Sequence, residues 1–587
     1  MDGKGDGGPD GPNEDGVTPE ERQAQHREAV EFPLNDFGNG QRVRLYHGGD
    51  ILFVPRMGWF VWDGHKWAQD TDSMAVRRRA HEIADFIRQE AFALRFTNFE
   101  GEIVAAAEAA ESALAELVLK AELDEADRIE MDRLRELVKA ADKARKRLSE
   151  AQARHLRHAK AAGNSGPISN MLVEAEPYLE QRLEVLNADP MLITTEVDTI
   201  ALLEERDEAA PEDVRSYVVR VQRPDRRDLI TKAMPVRYDP DARAPIFERF
   251  LETIQPDAEM RGFLQRWFGY SLTGLTTEQK LVFLHGSGRN GKSTLVDLIA
   301  KMMGEYATTV PIESLTGSET RKGSDATPDL VRLPGARMVR ASEPEEGIRF
   351  REATVKSFTG GEPILIRKMR EEFVEIDPIF KLTISGNHKP NVRGTDDGIW
   401  RRILLVPFDI QIPREAVDPL MPLKLWAERS GVLNWLIEGA LAFLNGGLQE
   451  PKGVTDATEE FREDSDPVRT FLVDACEVTG DPEHFELTKD LVEAFQVYQR
   501  DQGGAPWGNV TVSKRLREKS GTFRVRDNIF TPRKTNTANG YAGIRLGSEM
   551  SRRLLEHRGQ RAARSEDRKA SGSADEAPMP ADFGDFG

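Results

Sequence analysis

The stretch from Leu281 to Ile299 constrains this chain more than any other. An apolar run, Leu281 Val282 Phe283 Leu284 His285, enters the spacing G-x-x-x-x-G-K-S, and helix-forming residues follow as far as Ile299. A buried strand that turns through glycines into a helix can aim consecutive amides at an anion, and the helix start adds the positive end of its dipole. Gly286, Ser287, Gly288, Arg289, Asn290, Gly291, Lys292, Ser293 and Thr294 are therefore the predicted nucleotide-binding residues. Lys292 would reach the β- and γ-phosphates, and Ser293 would hold Mg²⁺. A surface turn has no use for a Lys-Ser pair at this spacing, nor for a buried strand before it. The chain must contain an α/β core.

A chain of 587 residues exceeds what one hydrophobic core supports, and ordinary domain sizes suggest about three or four units. With 81 Lys+Arg against 100 Asp+Glu the net charge is -19, so nucleic acid can be met only through local basic patches. The single cysteine, Cys476, excludes an internal disulfide and a Cys-rich zinc site, and fits a reducing cytoplasm. No apolar segment approaches the ~20 residues needed to span a bilayer. The N-terminus, Met1 to Asp6, is unlike a signal peptide. A soluble intracellular protein with no membrane contact is expected.

Composition divides the chain further. Residues 1–31 are rich in Gly, Asp, Glu and Pro, and read as a disordered leader. Residues 32–240 read as a mixed α+β N-terminal domain. It opens on a β-meander, Arg44 to Pro55 and Gly58 to Trp67, whose tryptophans are assigned to the core rather than to base stacking. Between about 100 and 160, Leu134, Leu137, Ala141, Ala144, Leu148 and Ala151 keep a three-four spacing, which predicts a helical insert with a solvated charged face. An ATPase domain is expected over 241–450 and a winged-helix-like domain over 455–550. In the latter, Phe523 to Ile529 pairs with Tyr541 to Leu546, and Lys514, Arg515, Arg517 and Lys519 face a duplex; a winged helix that docks protein is a comparable reading. Residues 551–587 read as a disordered acidic tail.

Hydrolysis needs more than a phosphate loop: an acid, a sensor and usually a cation at the γ-phosphate. The strand Ala336 to Ser342, interrupted by Arg340, ends at Glu343, the candidate metal-linked or water-activating acid, with Glu345 and Glu346 as substitutes. The strand Phe380 to Gly386 ends at Asn387, an amide able both to donate and to accept, as a sensor must. Arg401 and Arg402 precede the apolar run Ile403 to Val406. One of them, supplied by a neighbouring subunit, could stabilise charge on the transferring phosphoryl group; an ordinary salt bridge is the competing reading.

The order phosphate loop, Ala341-Ser342-Glu343, Lys356 to Pro363, Lys381 to Pro390 and Gly394 to Arg402 resembles the superfamily 3 helicases of the phage and plasmid primase type, related to the poxvirus primase-helicase. The match is strong over about 245–410, and Asn35 to Trp67 and Asp228 to Pro240 resemble the domain that precedes the helicase there. The resemblance implies an AAA+-like P-loop ATPase core, a hexameric ring and ATP-driven unwinding of DNA. It makes Lys292 and Ser293 the phosphate and magnesium residues, Glu343 the Walker B acid, Asn387 the sensor and Arg401 or Arg402 the finger. It also makes Ile364 to Ile376 a hairpin projecting into the channel, with Lys356, Arg367, Lys368 and Arg370 on DNA phosphates. The expected fold is thus multidomain α/β. The expected function is an ATP- and Mg²⁺-dependent DNA helicase for phage, prophage or plasmid replication in a bacterial host, with single-stranded and forked DNA, further copies of itself and replication proteins as partners. Two alternatives compete. A bifunctional primase-helicase needs clustered carboxylates for two metals, and the near-N-terminal pair of that form is Asp70 and Asp72, in a polar turn; no polymerising activity is expected. A DNA-packaging or remodelling ATPase would need neither the basic hairpin nor the Asn387 and double-arginine order.

Overall fold

A computed structural model describes residues 17–205, 216–317, 327–344, 346–367, 372–392, 397–502, 507–535 and 538–571. Among them no helix is long and apolar enough to cross a membrane. The first element corrects the expected leader: Pro19–Ala29 form helix α1, closed by a Thr18–Glu21 capping box. Polar average composition hid it, because its fixed inward side chains, Arg22, His26 and Ala29, are few. Residues 1–16 lie outside the described residues.

Helix α2 (Asp36–His47) takes up Arg44 to His47, which the sequence reading placed in a strand. The meander follows as β1 (Ile51–Val54), β2 (Gly58–Trp62) and β3 (Trp67–Gln69), all antiparallel. Trp59 and Trp67 are buried in it. Helix α3 (Met74–Ala93) presents Val76, Ala80, Ile83, Ile87 and Ala91 to the core. Arg42 and Glu90, both at 0% exposure, pair at 2.9 Å, and Arg42 also donates to the carbonyls of Ala29, Pro33 and Gly38. The charge is thus fully hydrogen-bonded, which is what makes its burial tolerable. Helices α4 (Asn98–Val118) and α5 (Glu125–Ala162) form the expected helical hairpin, and α6 (Ser165–Leu179) closes this part. A small antiparallel sheet, β4 (Leu192–Thr194), β5 (Thr199–Glu205) and β6 (Ser216–Gln222), leads on to α7 (Pro245–Ile254) and α8 (Ala258–Tyr270).

The central sheet is built from β7 (Leu281–His285), β8 (Ala307–Thr309), β9 (Met338–Ser342), β12 (Lys381–Gly386) and β13 (Ile403–Pro407). Between them come α9 (Lys292–Met303), α10 (Glu352–Gly360), the hairpin β10 (Ile364–Ile366) with β11 (Val374–Ile376), and the short α11 (Asp397–Trp400). The strand order is β13-β7-β12-β9-β8, every pair parallel. Leu281, Val282, Phe283 and Leu284 are all at 0% exposure, because both faces of a parallel sheet are covered and the strand needs no polar side. Val282 and Leu284 join one core and Leu281 and Phe283 the other. Arg340 sits on the face toward α9, where it pairs with Asp297, so the interruption it makes in the apolar run costs the strand nothing.

Helices α12 (Met421–Ala427) and α13 (Arg429–Gly446) return to α7 and α8, and α14 (Lys452–Asp464) packs on β13. The last part comprises α15 (Pro467–Asp474), β14 (Cys476–Val478), β15 (Phe485–Leu487), α16 (Thr488–Asp501), α17 (Asn509–Lys519), β16 (Thr531–Lys534), β17 (Asn539–Ala542), β18 (Ile544–Leu546) and α18 (Ser548–Ser571). Two expectations are corrected here. β17 lies between β15 and β16 (Thr531–Lys534), and β18 pairs with β14; neither pairs with 523–529, where Arg526 and Asp527 take left-handed backbone angles that break a ladder. The disordered tail does not begin at 551, since Met550 and Leu554 are buried and Arg558 pairs with Asp490 and Glu493. Residues 572–587 lie outside the described residues.

Candidate active site

Parallel register brings the carboxyl ends of four strands to one edge: Gly386 and Pro407 both stand opposite His285, and Ser342 opposite Ser385. The loop after β7 is packed from below and open above. A Cβ on Gly286 would meet the Phe408 carbonyl at 2.2 Å, and one on Gly291, at φ +77, would meet Ile254 at 2.4 Å, so both positions require glycine. Ser287, Gly288 and Arg289 form an exposed rim over buried Gly286 and Asn290. An exposed glycine-rich loop over a packed base suits an amide cradle.

The segment after β13 fixes the loop. Phe408 donates its amide to the His285 carbonyl at 2.7 Å, and Ile412 donates to that of Arg289 at 2.8 Å. Asn290 Nδ2 donates to the Phe408 carbonyl at 3.2 Å, and Gln411 Nε2 to Ser287 Oγ at 2.9 Å. Asn290, Phe408 and Gln411 hold the cradle in shape. Sequence reasoning missed the last two, because their role depends on β13 lying beside β7.

Lys292, the first residue of α9, is 3% exposed. Its Nζ donates to the Gly286 carbonyl at 2.5 Å and to Asn387 Oδ1 at 3.2 Å. Burial holds the Lys292 ammonium below its ordinary pKa, and the Glu343 carboxylate opposes that shift. Ser293 is exposed in the same first turn, and Thr294 is half-buried. Glu343 is exposed at the end of β9 with φ +55, its amide donating to the Ser385 carbonyl at 2.9 Å. A left-handed angle at a non-glycine residue is uncommon, and here it turns the chain away at the end of β9, where the Glu343 charge acts on the lysine. Lys292, Glu343 and Asn387 thus meet on one edge. Glu346 is exposed beyond it, and Glu345 lies outside the described residues.

The arginines separate. Both precede Ile403, which stands opposite Leu281, so they lie at the amino edge, a five-residue strand or about 16 Å from the phosphate loop. Arg402 is 8% exposed, donates to the Gly398 carbonyl at 3.1 Å and to Thr359 Oγ1 at 3.3 Å, and burial lowers its pKa. Arg401 is exposed. Arg402 ties α11 to α10, and Arg401 is the one presented outward.

Of the proposed DNA contacts, Lys356 is half-buried on α10. Arg367 holds the hairpin: its amide donates to Thr327 Oγ1 at 2.8 Å, and its guanidinium lies 5.0 Å over the Phe373 ring. Lys368 and Arg370 lie outside the described residues, as do Gly394, Thr395 and Asp396. Arg56, at φ +67 in the meander turn, reaches the hairpin from the N-terminal region, donating to the Phe373 carbonyl at 2.8 Å. On α17, Lys514 and Arg517 are exposed, but Arg515 pairs with Glu518 and Lys519 with Asp466. The four therefore do not form one free basic face. Arg524, Arg526 and Lys534, nearer the strand pair, are exposed. Asp70 accepts from the amides of Met74 and Val76 at the start of α3.

Residues 40–256 match a family described as D5 N terminal like, and residues 284–402 match one described as a family of unknown function, DUF5906. "Putative helicase L207/L206" of Acanthamoeba polyphaga mimivirus is 30% identical over 242 residues, covering 38% of this chain and 25% of that protein. "Putative helicase 022R" of Frog virus 3 (isolate Goorha) is 26% identical over 330 residues, covering 53% and 32%. The resemblance to the superfamily 3 helicases of the phage and plasmid primase type stands. The chain spans about a quarter to a third of the length of these viral relatives. A solved structure of the NrS-1 C terminal region is 14% identical with a TM-score of 0.34, over 59% of this chain and 82% of that one. The bounds of the D5-like match, 40 to 256, include the helical insert, whereas the motif resemblance covered only its two flanks.

Proposed function

We propose that this chain is the ATP-hydrolysing motor of a replicative DNA helicase. The observation that carries the reading is the meeting of Lys292, Asn387 and Glu343 on the carboxyl edge of the parallel sheet, directly above a glycine cradle. Ligands of open α/β sheets bind at that edge.

In this reading the amides from Gly288 to Lys292 and the start of α9 bind the phosphates of ATP. Lys292 exchanges its contacts with Gly286 and Asn387 for phosphate oxygens. The donor set suits Mg²⁺, a hard cation that takes hydroxyl and carboxylate oxygens: Ser293 and Glu343 are both exposed on this edge. When bound, the ion would neutralise charge on the phosphates. Asn387, released by Lys292, orients the attacking water with its amide, and Glu343 accepts the proton. Arg401 lies at the opposite edge from its own loop, so it can reach a γ-phosphate only when a second copy offers its carboxyl edge. That argues for a ring, and the resemblance favours six copies. Translocation on single-stranded DNA would come from the β10–β11 hairpin, and the exposed bases Lys514, Arg517, Arg524, Arg526 and Lys534 would meet duplex. Engagement of Asp70 in starting α3 weighs against a two-metal primer-synthesis site there.

The test is paired ATPase and fork-unwinding assays on the native chain and on Lys292→Ala, with a primer-synthesis assay beside them. Loss of both activities in oligomers of unchanged size is expected. Equal unwinding by the two proteins would refute the assignment.

A further inference from the structure

Helix α5 runs for 38 residues, about 57 Å at the α-helical rise, and its two halves carry charge differently. In the first half cations and anions alternate and neutralise one another along the helix: Arg133 with Glu130, Arg135 with Asp132, Lys139 with Glu136. That is an ordinary solvated face. In the second half Lys143, Lys146, Arg154 and Arg157 are all exposed, and among the described residues none has a carboxylate in ion-pair range. At 100° per residue these four fall within about 80° of one another and span about 21 Å along the axis. The opposite side, with Ala141, Ala144, His155, Ala159 and Ala162, is buried, chiefly against α4 and α3. The line is therefore held straight on a packed support. One acid, Glu150, lies on the same side.

A run of unpaired like charge on one helix face is unfavourable unless something opposes it, the more so in a chain whose net charge is -19. The geometry points to a second nucleic-acid surface: the C-terminal half of α5 binds the phosphate backbone of duplex DNA, without regard to sequence, through Lys143, Lys146, Arg154 and Arg157. The 21 Å span equals the rise of about six base pairs, enough for each cation to face its own phosphate. The surface lies in the N-terminal region, outside the nucleotide site. It rests on the helicase reading only for the choice of DNA among polyanions. Duplex held here, ahead of a ring that moves on one strand, would keep the fork from rotating away between steps.

The experiment measures binding of a labelled 30-base-pair duplex to the full chain by fluorescence anisotropy, without nucleotide, from 50 to 200 mM KCl. It compares the native protein, Lys143→Gln/Lys146→Gln/Arg154→Gln/Arg157→Gln, and a control, Arg133→Gln/Arg135→Gln/Lys139→Gln, from the self-neutralised half. Since each phosphate contact contributes about 0.9 to the slope of log K against log salt, the quadruple variant should lose about 3 to 4 from that slope and at least about tenfold in affinity at 100 mM. The control should match the native protein, and both variants should keep native helix content by circular dichroism and native basal ATPase. Lys292→Ala should bind the duplex normally, so a failure of the hydrolysis reading leaves this measurement standing. The proposal is overturned by a quadruple variant with native affinity and slope, by an equal loss in the control, or by a native chain that ignores duplex at 50 mM KCl. Retained duplex binding with lost binding to polyglutamate or to phosphatidylserine vesicles would overturn it in favour of a protein or membrane partner.

Discussion

Two lysines at opposite edges of one sheet, almost equally hidden, are held in different ways. Lys292 at the carboxyl edge is 3% exposed and Lys381 at the amino edge 2%, and burial lowers the pKa of both. Lys381 is enclosed: its Nζ donates to the carbonyls of Thr273, Leu275 and Ile379, and lies 4.7 Å over the Tyr270 ring. It ties down the turn that follows α8, beside Arg337, which donates to the Leu272 carbonyl at 2.6 Å. Lys292 has one main-chain acceptor and one side-chain acceptor, and beyond them an exposed rim. Burial alone therefore does not distinguish a functional cation from a structural one. What distinguishes them is whether the acceptors that hold the ammonium can be exchanged for those of a ligand.

The sharpest way to break this comparison is to remove both lysines separately. Lys292→Ala should lower ATP turnover by about 10³-fold or more, the scale of losing a phosphoryl-charge stabiliser, with a melting temperature close to native. Arg401→Ala should cost about 10³-fold in kcat, and mixing it with Lys292→Ala should restore part of the activity, because mixed interfaces of one orientation hold an intact Lys292 and an intact Arg401 while those of the other hold neither. Arg402→Ala in the same assay should behave as a stability variant, and an equal kcat loss without a change in melting would contradict its placement between Gly398 and Thr359. Asn387→Ala should reduce kcat by about 10²-fold with KM little changed, since it is assigned to the water rather than to binding. Lys381→Met should leave turnover per folded molecule near native and destabilise the chain by about 3 kcal/mol, through carbonyls left without donors; denaturant titration measures it.

The smallest effect is on pH. His26, which contacts Tyr46 and Gln89, is held by burial below its ordinary value of 6.5. The unfolded chain then binds more protons, so this contribution is whole above about pH 6.5 and disappears as pH falls toward the lower folded value. Unfolding followed by tryptophan fluorescence should show the N-terminal region weakening from pH 7 to 5, and His26→Gln should flatten that slope.

Legibility followed the range of the interactions. The loop from Gly286 to Thr294 was readable because strand, turn and helix are set by adjacent residues. The α4–α5 hairpin was readable because apolar spacing along a helix is local too. Helix α1 was missed because its capping box, Thr18 and Glu21, sat in a stretch judged by average composition. The strand expected at 523–529 failed on backbone angles at Arg526 and Asp527 that no hydrophobic pattern encodes. Arg401 and Arg402 looked interchangeable, since only the packing of α10 shows which guanidinium is taken.

By itself the sequence determined that a glycine-rich turn ending in Lys292 and Ser293 stands between a buried strand and a helix, with Glu343 and Asn387 at the ends of later strands, because these are properties of consecutive residues. Tertiary structure alone decided that these ends share one edge, that Phe408 and Gln411 brace the loop, and that Arg401 faces outward from the far edge. Those facts follow from strand order and register, which join residues tens to more than a hundred positions apart and leave no periodic trace along the chain.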